Sequence, residues 1–133
     1  MRTARRLKRR LSRKSTMKTS HVELSVPAEA SFARSVRMMA ANLAVFLDMS
    51  LDDVEEVRMA AEEGFVLSCA SRPEVCSIVF TLSDEGMSMD FSLGPVPDDT
   101  AELDLARLLL AAVCDEFEVD GAAARLHLAK RIG

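Results

Sequence analysis

The sequence predicts an α+β domain: a mostly antiparallel five-stranded sheet covered on one face by three helices. Three observations predict it. Residues 50–70, SLDDVEEVRMAAEEGFVLSCA, repeat apolar side chains at helical spacing behind a serine suited to cap a helix. Residues 75–93 alternate apolar and polar on both sides of Ser83-Asp84-Glu85-Gly86, the pattern of a β-hairpin. The elements read in the order β-α-α-β-β-α-β-β along 133 residues, enough for one core and too few for two.

Val22, Leu24 and Val26 alternate with polar residues, so 21–26 is a half-buried strand ending at Pro27. Residues 29–48 read as a helix with Phe32, Val36, Met39, Leu43 and Leu47 as its stripe, while Arg34 and Arg37 face away. The next helix opens at Ser50, with Asp53 as a capping-box acid. Val54, Val57, Ala61, Phe65 and Ser68 form its inner stripe. At about 100° per residue Glu63 lies opposite Val54, beside Met59, Val66, Leu67 and Ala70. This helix is apolar on two sides and is expected to be buried. Glu63 then lines a pocket or is an edge residue whose head reaches water.

Cys76, Ile78, Phe80 and Leu82 share one face of the first hairpin strand, and Met87, Met89, Phe91 and Leu93 one face of the second. Residues 94–98 are a loop, and 99–102 start a third helix with the stripe Leu103, Ala106, Leu110 and Val113. A last hairpin turns at Asp120-Gly121 and places Ala122, Ala124, Leu126 and Leu128 on the final strand.

Charge divides the chain. Residues 1–16 hold eight of the seventeen basic residues and no acid, and are expected to be a disordered extension to a single domain over 17–133. The rest carries nine basic and twenty-one acidic residues, a balance of −12, which argues against direct DNA binding by the domain. The basic head suits phosphates, a membrane surface or the domain's own acidic face, and it also resembles an Arg-rich transit peptide. A plainer reading makes it an upstream extension with no folded role, since Met17 opens a stretch like an ordinary protein start. No apolar run reaches the roughly 18 residues of a membrane span. Cys69, Cys76 and Cys114 lack metal-ligand spacing and read as buried thiols in a reducing cytoplasm. His21 and His127 are isolated in sequence, with no zinc or catalytic spacing.

The order and lengths over residues 20–133 resemble the anti-sigma-factor serine kinases of bacterial partner-switching systems, members of the Bergerat-fold, or histidine kinase-like ATPase, superfamily. The resemblance rests on VELSVPAEASFARSVRMMAANLA, DDVEEVRMAAEEGFVLSCA and LDLARLLLAAVCDEFEVDGAAARLHLAKR. In that family the central helix carries Glu-x-x-x-Asn, the Glu as general base and the Asn oxygen helping to hold Mg²⁺. Here the Glu matches Glu63, the only catalytic candidate, but Leu67 stands where the Asn would. A Leu offers no oxygen to a hard cation, and shifting the register to Glu62 and Val66 fails alike. The family's Asp-x-Gly adenine site falls on Leu93, Gly94 and Pro95. A rival register places it on Asp84-Glu85-Gly86, at the cost of one central strand. The phosphate-cradling glycine turn falls on Glu102 and Asp104, close to Asp98 and Asp99. Two like charges about 4 Å apart at an effective dielectric near 20 repel by about 4 kcal/mol, before screening.

The resemblance therefore implies a kinase fold with its nucleotide motifs degraded, a pseudokinase. It implies a regulatory module that binds a sigma factor or its antagonist, with no cofactor or metal and with a homodimer among its expected forms. An active ATP- and Mg-dependent serine/threonine kinase using Glu63 is the alternative. An unrelated small α+β interaction domain is the second.

Overall fold

The structure, a computed structural model, describes residues 18–95 and 101–132, apart from the side chains at 101 and 102. Strand β1 is Ser20–Pro27, and helices α1 and α2 are Ala33–Phe46 and Leu51–Ala70. Strands β2 (Val75–Ser83) and β3 (Gly86–Ser92) follow, then α3 (Ala101–Val113), β4 (Glu116–Asp120) and β5 (Arg125–Arg131). The sheet runs β1-β2-β3-β5-β4, every neighbouring pair antiparallel. The coarse class expected from the sequence is the one found.

Period-two alternation explains the two-sided sheet. Cys76, Ile78, Phe80, Met89, Phe91, Leu126 and Leu128 point to the helices and are buried. The opposite face carries His21, Thr81, Asp90 and His127. Helix α2 lies across β2, β3 and β5, with α1 and α3 packed on either side of it. Gly64 lets it sit that close: a Cβ there would fall 2.7 Å from the Phe91 ring.

Ser50 caps α2 as expected, its Oγ accepting from the Asp53 N–H at 3.1 Å. The Asp53 carboxylate turns the other way and lies 3.7 Å from Lys130 Nζ. Asp48, at φ 56, makes the tight link from α1. At the hairpin Ser83 pairs with Gly86, so Asp84 and Glu85 form the turn between β2 and β3. Gly86 has φ 149, and a Cβ there would meet the Lys130 carbonyl oxygen at 2.2 Å.

Several expectations are corrected. The helix expected to start at Glu29 begins instead as a 3₁₀ turn, Ala30–Phe32. Its deepest residues are Val36, Ala40, Ala44 and Leu47, because the two alanines permit a closer approach than Met39 and Leu43 would. Arg37 does not simply face away; it reaches Glu62 of α2 at 2.8 Å. Ala122 and Ala124 are not on the last strand. They belong to a turn in which Asp120 Oδ1 accepts from the Ala123 N–H at 3.1 Å and Ala124 takes φ 51. Leu93 lies just beyond β3.

Candidate functional site

Helix α2 positions the residues singled out in the sequence, and it separates two of them. Leu67 is fully buried and belongs to the core. Glu63, one turn earlier, is half-buried on the helix's outer flank. The expectation that α2 is buried on both sides fails there: Met59 and Val66 are each 42% exposed. The inner stripe and the outer one are both apolar, yet only the inner has the sheet to pack against.

The two adjacent acids have different roles. Glu62 ties α2 to α1 through Arg37. Glu63 has no hydrogen bond or ion pair among the described residues. Burial, then the neighbouring charge of Glu62, raises its carboxyl above the usual 4.5. A carboxyl raised in this way holds its proton longer and is a stronger base once ionised.

The segment after β3 is fastened to the β4–β5 turn and to the end of α2. The Leu93 N–H donates to the Ala124 carbonyl at 2.8 Å, and the Gly94 N–H to Ser71 Oγ at 2.8 Å. A Cβ at Gly94 would lie 2.3 Å from the Ser71 carbonyl oxygen, so only glycine fits. Beneath, Ser68 donates to the Ser92 carbonyl at 2.7 Å and lies 3.1 Å from Cys76 Sγ. Ser68 was counted as part of an apolar stripe, but its hydroxyl has a partner in the core.

Asp104 is exposed, 3.7 Å from Arg107. Asp98, Asp99 and the Glu102 side chain, expected near it, lie outside the described residues. Hence the structure brings Glu63 and Leu67 onto successive turns of one helix, ties Leu93 to the turn before β5 and Gly94 to that helix's C-terminal end, and points Asp104 at solvent.

Two features escaped the sequence reading. Helix α3 buries Leu103, Ala106 and Leu110 as expected, but Leu105 and Leu108 on its opposite side are 59% and 69% exposed. The signal was present in the run Leu108-Leu109-Leu110, which is too apolar for one stripe. On the open face of the sheet, His127 Nδ1 lies 2.8 Å from Asp90 Oδ1 and Nε2 lies 3.3 Å from Glu116 Oε1. Burial alone would lower the imidazole pKa; the hydrogen bonds and charges of Asp90 and Glu116 outweigh it and raise it above 6.5. No local signal marks this cluster, because its members meet only through strand register.

Lys130 closes the other end of the core. It points inward from β5 to Glu56 at 2.5 Å and to the Val113 carbonyl at 3.2 Å. Burial opposes its charge, yet Glu56, Asp53 and Asp115 raise its pKa above 10.5. No group of three or more potential ligands suited to a metal ion occurs among the described residues. No described helix is long and apolar enough to cross a membrane. No family model matches the chain, and a search of curated proteins finds no match to it.

Proposed function

We infer that this chain is a regulatory protein-docking module, resembling an anti-sigma factor of the partner-switching type, that works without phosphoryl transfer. One observation carries the reading: on the outward side of α3, beside the Asp104–Arg107 pair, Leu105 and Leu108 are held out to solvent. Large apolar side chains exposed together on a surface helix mark a contact site. Burial of Leu67 supports the non-catalytic half, since the position that would supply a cation's oxygen is committed to the core. By the resemblance, the partner is a sigma factor or its antagonist. The test is capture by the folded full chain. Recovery of a sigma factor or antagonist supports the reading, and recovery of neither contradicts it.

Glu63 favours a second reading, a divergent ATP-dependent serine/threonine kinase. Its unpaired carboxyl, raised by burial, has the character of a general base. Thermal melting with Mg-ATP separates the two. A ligand at a hundred times its Kd stabilises by about 2.7 kcal/mol, several degrees for a domain of this size. An unchanged midpoint fits the docking module, and a rise of that size fits the kinase.

A further inference from the structure

The edge strand β4 is weakly anchored. It pairs with β5 alone, and none of its five residues is buried. Phe117 and Val119 stand opposite the buried Leu128 and Leu126 and share their face, yet Phe117 is only half-buried and Val119 is 44% exposed. Little apolar area holds β4 down, and a strand of that kind opens locally at low cost.

The ties across the open face are polar. Asp90, His127 and Glu118 are successive register partners on β3, β5 and β4, with Glu116 two residues before Glu118 on the same face. His127 Nδ1 meets Asp90 Oδ1 at 2.8 Å, and Nε2 meets Glu116 Oε1 at 3.3 Å, so the ring links β3 to β4 across β5. Two arginines of β5 flank it: Arg125 lies 3.5 Å from Asp90, and Arg131 3.6 Å from Glu116. Asp120 stands opposite Arg125. Further off on the same face, β1 contributes His21, bonded to Thr81, and Glu23.

Both ring contacts are hydrogen bonds only while the ring carries two protons, because a neutral imidazole has one N–H and one lone pair. Asp90 is closer, and its side chain is 18% exposed against 52% for Glu116, so the last proton stays on Nδ1. Nε2 then turns a lone pair toward the Glu116 carboxylate, and attraction becomes repulsion. Arg131, 67% exposed, holds Glu116 only weakly.

We propose that His127 is a proton-operated latch: as imidazolium it fastens β4 to the sheet, and as neutral imidazole it lets β4 open and bare the outer edge of β5. The hydrogen bonds and charges of Asp90 and Glu116 raise the folded pKa above 6.5. The latch is therefore fully closed below about 6.5 and released as pH rises through the folded value.

Hydrogen exchange of the full chain, followed by NMR from pH 6 to pH 9 together with the His127 ring resonances, tests this. The β4 amides should exchange by local opening, with little dependence on sub-denaturing urea. Their protection factors should fall about fivefold as the ring loses its proton, the size expected of a solvent-screened pair. His127→Gln should keep β4 at the lower protection throughout, and His127→Arg, charged across the range, at the higher. His21→Gln should leave the wild-type fall in place. Constant protection in wild type overturns the proposal. So does a fall that persists in either His127 variant or disappears in His21→Gln, which assigns it to another group. So do β4 amides that match β2 in protection and urea dependence, which means that β4 opens only with the whole fold. Should His127→Gln fail to fold, the contrast between wild type and His127→Arg gives the same reading.

Discussion

His127 on β5 lies directly opposite Asp90 on β3, Nδ1 to Oδ1 2.8 Å, and its other ring nitrogen faces Glu116 of β4 at 3.3 Å. Both nitrogens meeting a carboxylate favours imidazolium, and the folded pKa lies above 6.5. The stabilisation is therefore fully present below about 6.5, the unfolded value, and is lost as pH rises through the folded value. His127→Gln should be less stable than wild type at pH 6, by up to about 1 kcal/mol after solvent screening, and should converge with it in alkaline solution. Urea midpoints across pH for the two proteins measure this. A constant gap would refute the charge-based account.

Glu63 has the opposite sign. Its raised carboxyl means that ionisation costs the folded state more than the unfolded one. Glu63→Gln should gain nothing below about pH 4.5, where the carboxyl is protonated in both states. The gain should open as pH rises from there through the raised folded value and persist at pH 7, at roughly a few tenths of a kcal/mol for so exposed a group. Melting at pH 4 and pH 7 compares the two regimes. A destabilised variant at pH 7 would mean that Glu63 has a stabilising partner.

Lys130 joins three elements, and Lys130→Met removes the cation that Glu56, Asp53 and the end of α3 share. The uncompensated carboxylates should cost about 1–3 kcal/mol by chemical denaturation. Glu56→Gln, which keeps Lys130 and its other partners, should cost less. Equal losses would show that the Glu56 contact alone matters.

Gly94→Ala places a methyl 2.3 Å from the Ser71 carbonyl oxygen and 2.4 Å from the Arg72 carbonyl carbon, both backbone atoms that cannot swing aside. The expected cost is at least about 1 kcal/mol. Hydrogen exchange at the Gly94 amide, bonded to Ser71, should quicken. Unchanged protection there would contradict the tie between β3 and α2.

These residues also show what the sequence could and could not convey. Ser50 before an apolar repeat, and strict alternation around Ser83–Gly86, are local signals, and the elements they announce are the ones found. On α1 the expected stripe packs against the core, but Ala40 and Ala44 escaped it because periodicity draws attention to large residues, and these small ones are the ones pressed closest. The outward side of α2 was misread as buried, since an apolar residue such as Val66 looks the same whether or not something covers it. Asp90, Glu116 and His127 are far apart in sequence and meet only through the β3–β5–β4 register, which no single segment specifies. Leu105 and Leu108 were legible as an excess of apolar residues, but only the fold shows which stripe is left over.

We propose that this chain acts by docking through the outer face of α3. The measurement that decides it is the affinity of the full chain for a sigma factor or antagonist protein, before and after the paired changes Leu105→Ser and Leu108→Ser. Both side chains are exposed, so the variant should keep its stability within about 0.5 kcal/mol. The expected result is binding weakened at least tenfold, about 1.4 kcal/mol, in a protein that melts as wild type does. Wild-type affinity in the double variant would contradict it.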